Sequence, residues 1–243
     1  MVKIQALDGV SHCHYGTMGP MRLVLLAGAA GTGLARDLAD RCELTVVAPT
    51  TRDSWADGLK RSPDIDAFLT DPAHEPTYGV ARALEELAFG AAWQRAHDDE
   101  IALRIMRTEL LHADFTLTDA VAALAERRSL AFTLLPLSDD RGEMRYVVSD
   151  DDGSRAVHHD EYHAGLPVGG SREPAVVALT WAVTDRVVEA VQASHETTVA
   201  VLGSDPVIRH AVEAVAARVP EARFVDVAEA GVAEVLRAVT TPR

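Results

Sequence analysis

The stretch Arg22-Leu-Val-Leu-Leu-Ala-Gly-Ala-Ala-Gly-Thr-Gly-Leu-Ala-Arg-Asp-Leu38, followed by Glu43-Leu-Thr-Val-Val-Ala48, decides the fold. An apolar run enters a turn containing Gly28, Gly31 and Gly33, a short amphipathic segment over 34–40 follows, and a second apolar run ends at Pro49. This order predicts a buried strand, a glycine loop, a helix and a second strand, the half-unit of a nucleotide-binding α/β fold. Small residues at the turn let backbone N–H groups approach an anion at the helix N-terminus, where the dipole favours negative charge. The same residues are also needed simply to pack a helix against a strand.

Outward from this unit the pattern keeps alternating. Ser62-Pro63-Asp64 offers an N-cap, a proline at the first helical position and an acid in the first turn, predicting a helix over 63–69. Helical spacing recurs over 80–89 and 98–112, the latter placing Ile101, Ile105, Leu110 and Leu111 toward a core. Thr116-Leu-Thr-Asp119 resembles a capping box opening a helix to 128. A strand over 131–137 and a hairpin of 144–149 with 155–159 come next. The last third reads strand 175–181, helix 185–193, strand 198–202, helix 206–219, strand 223–227 and helix 231–239. The expected class is α/β, a Rossmann-like, mostly parallel sheet with helices on both faces and a small helical and hairpin insertion. Residues 21–243 are expected to form a single domain. Residues 1–20, which lack hydrophobic periodicity, are expected to be a disordered leader.

Composition narrows the function classes. With 243 residues, 48% of them hydrophobic, the chain can bury a full core. A net charge of −14 offers no basic stripe for nucleic acid, and no apolar stretch is long enough to span a bilayer. A cytoplasmic protein without nucleic-acid or membrane partners is expected. Cys13 and Cys42 form neither a disulfide framework nor a zinc spacing, and Lys3 and Lys60 are the only lysines.

Four blocks resemble one family. The glycine loop, Ser62-Pro-Asp-Ile-Asp66, the segment from Trp93 through Asp98 to Arg107-Thr-Glu-Leu-Leu111, and Leu135-Pro-Leu-Ser-Asp-Asp140 occur in the order and spacing of 2-phospho-L-lactate transferases, the CofD-like enzymes of coenzyme F-420 biosynthesis. Glu161-Tyr162 also fits, and the similarity covers about residues 21 to 210. The resemblance implies transfer of a phospholactyl or phosphoenolpyruvyl group from a guanosine-diphosphate-activated donor to the hydroxyl of the deazaflavin Fo, with Mg²⁺, release of GMP, and a homodimer. The chain departs from the pattern at definite places. Gly28-Ala-Ala-Gly-Thr-Gly33 stands where the family has Gly-Gly-Thr-Gly-Gly-Ala-Lys, and Pro49-Thr-Thr-Arg-Asp53 where it has Asn-Thr-Gly-Asp-Asp. The family's later Ser-Pro-Ile-Val-Gly-Gly block has no counterpart.

The resemblance assigns catalytic roles to Asp53, Asp66 and Arg107, with Asp53 also the Mg²⁺ ligand. It assigns ligand binding to Gly28, Gly31, Gly33, Thr50, Ser138, Asp139 and Asp140. Each has a plainer structural reading: Asp53 as a loop cap, Asp64 and Asp66 as acids favoured in a first helical turn, Arg107 as a solvated helix arginine, and Ser138–Asp140 as a tight polar turn. In an extended chain His159, Glu161 and His163 would share one face and invite a metal, although the family match at Glu161-Tyr162 explains the segment without one. Two other functions stay open. One is a catalytically degenerate nucleotide-binding or regulatory homologue. The other is an NADP-binding reductase-like protein, in which Thr50-Thr-Arg52 would take a 2′-phosphate, but no lysine follows Lys60 to complete a Tyr-x-x-x-Lys dyad.

Overall fold

The structure, a computed structural model, describes residues 21–71, 73–89, 95–150, 153–165, 175–178, 181–228 and 230–241. The expected leader over 1–20 lies outside the described residues, as does Trp93. Five parallel strands form the central sheet: β1 (Arg22–Ala27), β2 (Glu43–Ala48), β5 (Thr133–Pro136), β9 (Thr198–Leu202) and β10 (Arg223–Asp226), in the order β10-β9-β1-β2-β5. Alternate residues of β1 serve opposite faces, as the pleat requires. Leu23 and Leu25 pack under α1 (Thr32–Ala39), α2 (Pro63–Leu69), α5 (Leu117–Arg127) and α9 (Val232–Thr240), while Val24 and Leu26 meet α7 (Asp185–Ala193) and α8 (Pro206–Arg218). The chain leaves β1 toward β2 on one side and later returns to β9 on the other. The strand order therefore reverses between β1 and β9, the position at which open α/β sheets bind ligands.

Local chemistry sets the helix starts. Asp205 accepts hydrogen bonds from the amides of Val207 and Ile208 ahead of Pro206, and Thr116 and Thr184 cap α5 and α7 in the same manner. Gly31 is fixed by packing: a Cβ there would lie 2.5 Å from the Ala27 Cβ, so only glycine allows α1 to close on β1.

Four expectations change. The stretch Thr50-Thr-Arg-Asp-Ser-Trp-Ala-Asp-Gly58, whose polar composition predicts a loop after the second strand, instead leads into a hairpin, β3 (Ser54–Ala56) with β4 (Leu59–Arg61), because Asp57 and Gly58 both take positive φ in the primed turn that matches strand twist. Residues 175–178 form β8 (Ala175–Ala178), which pairs antiparallel with β6 (Gly142–Asp150) rather than joining the main sheet; β7 (Gly153–His158) pairs on the other side of β6. Residues 159–163 form a helix, α6 (His159–His163), so the extended-face reading of its histidines does not hold. Finally, α4 (Asp98–His112) buries Leu103, Arg104, Arg107 and Thr108 and leaves Ile105 47% exposed. Leu103 and, as expected, Leu111 meet the apolar core, while Arg107 is drawn inward beside them by a carboxylate on α2. The remaining helix, α3 (Gly79–Glu86), lies beside α4.

Candidate functional site

The loops after β1, β2 and β9 gather charged groups at the reversal of strand order. Gly28 sits against Asp64 of α2: a Cβ at Gly28 would come within 2.6 Å of Asp64 Oδ1, which accepts the Ala29 amide at 3.0 Å. Arg52 follows β2 and joins two elements, its Nη1 donating to Asp64 Oδ1 at 3.0 Å and its Nε to Asp160 Oδ1 of α6 at 2.9 Å. Arg61 Nη2 reaches Asp160 Oδ2 at 2.6 Å, and His159 Nδ1 lies 3.0 Å from Asp160 Oδ1. Burial works to raise the Asp160 pKa, but the hydrogen bonds from His159 and Arg52 and the charges of Arg52 and Arg61 hold it far below the usual carboxylate range.

A second layer lies directly beneath. Asp53 Oδ2 accepts the Ser62 hydroxyl at 2.8 Å and meets Lys60 Nζ at 3.0 Å, so Ser62 serves Asp53 instead of capping α2. The hairpin turn at Asp57-Gly58 makes this possible by folding Lys60 back beside Asp53. Deeper still, Arg107 is fully buried, ion-paired with Asp66 and hydrogen-bonded to the Lys60 carbonyl at 3.0 Å. Burial pushes the pKa values of Asp53 and Asp64 upward, opposed by Lys60 at the first and by Arg52 and the Ala29 amide at the second. Asp53 Oδ1, Asp64 Oδ2, and the hydroxyls of Thr50 and Thr51 are buried without a hydrogen-bond partner among the described residues. Such atoms are rare in folded interiors and point to an absent water, ion or ligand group.

The expected site residues therefore separate. Gly28, Thr50 and Asp53 belong to this cluster, whereas Gly31 is a packing residue and Gly33 has open space where a Cβ would stand. Arg107 and Asp66 are both buried and join α4 to α2, so in place of the solvated helix arginine the structure has a guanidinium engaged by Asp66 and the Lys60 carbonyl. Ser138, Asp139 and Asp140 lie at the end of β5, with β2 intervening, about 10 Å from β1 by strand spacing. There Asp139 accepts the amide and hydroxyl of Thr118, Asp140 accepts the Ala182 amide, and Ser138 accepts the Asp140 amide. These bonds order the loop rather than reach the glycine turn.

Sequence reasoning missed Asp160, Lys60 and Arg61, and the Asp57-Gly58 turn signal is what could have placed the last two. Beside Asp160, the Tyr146 hydroxyl lies 3.1 Å from His163 Nε2 and its ring stacks on Tyr162 at 4.0 Å. Glu161 pairs with Arg155, and among the described residues no group of three His, Cys, Asp or Glu side chains is arranged to hold a metal ion.

Comparison with known proteins agrees with this architecture. The sequence profile of the family described as 2-phospho-L-lactate transferase CofD matches residues 23–225. A phosphoenolpyruvate transferase of Kitasatospora aureofaciens is 33% identical over 162 residues, covering 60% of this chain and 50% of that protein. One from Mycobacterium avium is 32% identical over 166 residues, covering 59% and 49%, respectively. The chain spans about half the length of these curated relatives. A crystal structure of a UPF0052-family protein from Bacillus halodurans superposes with a TM-score of 0.55 at 10% identity, covering 91% of this chain and 76% of that one, a likeness of fold alone.

Proposed function

Because the chain belongs to the 2-phospho-L-lactate transferase (CofD) family, we propose that it moves a phospholactyl or phosphoenolpyruvyl group from a GDP-activated donor to the hydroxyl of the deazaflavin Fo. The observation that carries this reading is the pair of unpartnered buried carboxylate oxygens, Asp53 Oδ1 and Asp64 Oδ2, beside a glycine loop where the strand order reverses. In the transfer, the Fo hydroxyl oxygen forms a bond to the phosphorus bearing the acid, the bridging P–O bond breaks, and its electron pair leaves with GMP. Asp64 takes the hydroxyl proton, since burial raises its basicity above that of an ordinary aspartate and Oδ2 has no competing donor. Charge developing on the transferred group needs fixed positive partners in a site closed to water.

Mg²⁺ fits one atom of the cluster. Asp53 Oδ1 is buried and unpartnered, while its Oδ2 is held by Lys60 and Ser62, so the residue offers one hard oxygen and leaves the other ligands to phosphate and water. Bound there, the ion would neutralise charge on the donor diphosphate. The same reading carries a homodimer in the cytoplasm; no helix among the described residues is long and apolar enough to cross a membrane. The test is to supply Fo, the guanylated donor and Mg²⁺ and to follow GMP release by chromatography together with the mass of the Fo product. Stoichiometric GMP and product support the transferase. GDP binding without GMP release would assign a non-catalytic nucleotide-binding role, a reading that the positive charge of Arg52 beside Asp53 favours.

A further inference from the structure

Among the described residues, Arg104 lies beside Asp66 and Arg107 in the deeper layer, and four further cations of the buried cluster differ in access. The side chains of Arg107, Lys60 and Arg61 are 0%, 9% and 10% exposed, whereas that of Arg52 is 26% exposed. A guanidinium has a side edge, Nε with Nη2, and an end edge, Nη1 with Nη2, and either can grip two oxygens of one anion. Arg52 uses one prong of each edge, Nε on Asp160 and Nη1 on Asp64, so Nη2, the prong common to both, meets no acceptor among the described residues. Two nearly buried carboxylates thus hold the group through Nε and Nη1, and the side chain that carries Nη2 keeps a quarter of its surface open to solvent. Asp160 divides its charge between Arg52 and Arg61, and Asp64 also accepts the Ala29 amide, so neither carboxylate is given to Arg52 alone. Asp205, which begins α8 across the reversal point, adds its field to Arg52 and has Oδ1 engaged by two helix amides.

We infer that Arg52 is a specificity-determining residue that binds a phosphate of the nucleotide directly through Nη2, above the glycine loop, without a metal intermediary. This rests on the transferase reading for the identity of the nucleotide, but not for the presence of the anion site. Its chemistry selects a terminal phosphate or diphosphate oxygen over a neutral nucleoside.

The test is calorimetric titration of the full chain with GDP, guanosine and inorganic pyrophosphate, each in EDTA and in Mg²⁺. Arg52→Gln is expected to weaken GDP and pyrophosphate binding about tenfold or more in both buffers, the loss of one charge-assisted hydrogen bond. Arg52→Lys should recover part of that loss, because a point charge replaces the fork. If Arg52→Gln fails to fold, Arg52→Met with Asp64→Asn removes the cation together with a carboxylate it covers, and the same loss is expected. Wild-type-like GDP binding by a folded Arg52→Gln variant overturns the inference and leaves the transferase reading standing. Pyrophosphate binding that needs Arg52, in a protein that does not bind GDP, sinks the guanine-nucleotide reading and leaves the inference standing. Binding of neither ligand by the wild type removes both.

Discussion

The five-stranded sheet and the seam between α2 and α4 are both buried, yet they are built on opposite principles. In the sheet, Leu23, Leu25, Val24 and Leu26 are buried among apolar neighbours on each face, so the interior is held by area removed from water and close packing. In the seam, Asp66, Arg107, Asp53, Lys60 and Arg104 are all at least nine-tenths buried, and each charge depends on its partner. The first region tolerates a changed side chain if volume is kept. The second tolerates change only when both members of a pair change together, because an uncompensated buried charge costs far more than a lost contact.

The largest effect expected follows from that distinction. Arg107→Ala should destabilise by about 3–5 kcal/mol, read from the shift of the urea midpoint at constant slope. The double replacement Arg107→Met with Asp66→Leu should regain most of the loss. If the double variant is no more stable than the single one, the seam is not governed by charge pairing. In the sheet, Leu25→Ala should cost about 2–5 kcal/mol through its cavity, and Leu25→Met less than about 1.5 kcal/mol. A large penalty for Leu25→Met would remove the contrast from the sheet side.

At the junction of the two regions, Gly31→Val should cost about 1–3 kcal/mol by forcing α1 away from Ala27, whereas Gly33→Ala meets no neighbour and should stabilise by about 0.5–1 kcal/mol. Thermal unfolding of the two variants distinguishes a packing glycine from a permissive one, and destabilisation by Gly33→Ala would contradict the open space seen there.

The smallest effect concerns acid. The folded-state pKa of Asp160 is depressed, so its contribution is complete above the unfolded value of about 3.9 and fades as pH falls below it. Asp53 and Asp64 are shifted upward and act with the opposite sign, regaining stability as they protonate. Between pH 5 and about 3, the melting temperature of Asp160→Asn should therefore fall less steeply than that of the wild type. Equal slopes would show that Asp160 is not held as a paired anion.

The same contrast explains what could be read from the amino acids. Strands β1, β2 and β9 and helices α2, α4 and α5 follow from apolar runs, Pro63 and the Thr116 cap, all local signals. The buried face of α4 did not, because Ile101 and Ile105 carry the apolar period while Arg107 is drawn inward by Asp66, 41 residues earlier in the chain. Similarly, the place of Asp53 beside the glycine loop could be read from the sequence, but that of Asp160 could not: its link to Arg52 spans 108 residues and requires α6 to form where an extended segment was expected. Ion pairs distant in sequence leave no periodicity. Ser138–Asp140 matched a pattern whose local role is to order a turn.

One bond described by neither region alone ties the hairpin sheet to the loop after β2: the Met144 amide donates to the Thr51 carbonyl at 2.6 Å. Met144 lies in β6, where Tyr146, two residues further on, stacks on Tyr162 of α6, and Thr51 immediately precedes Arg52. The small sheet thus grips the arginine loop by its backbone while α6 grips its side chain. Met144 is consequently a sentinel for the loop: slow deuterium uptake at its amide reports a docked arginine, and uptake accelerated on loosening of that loop, before the central sheet exchanges, would mark the two as a single opening unit.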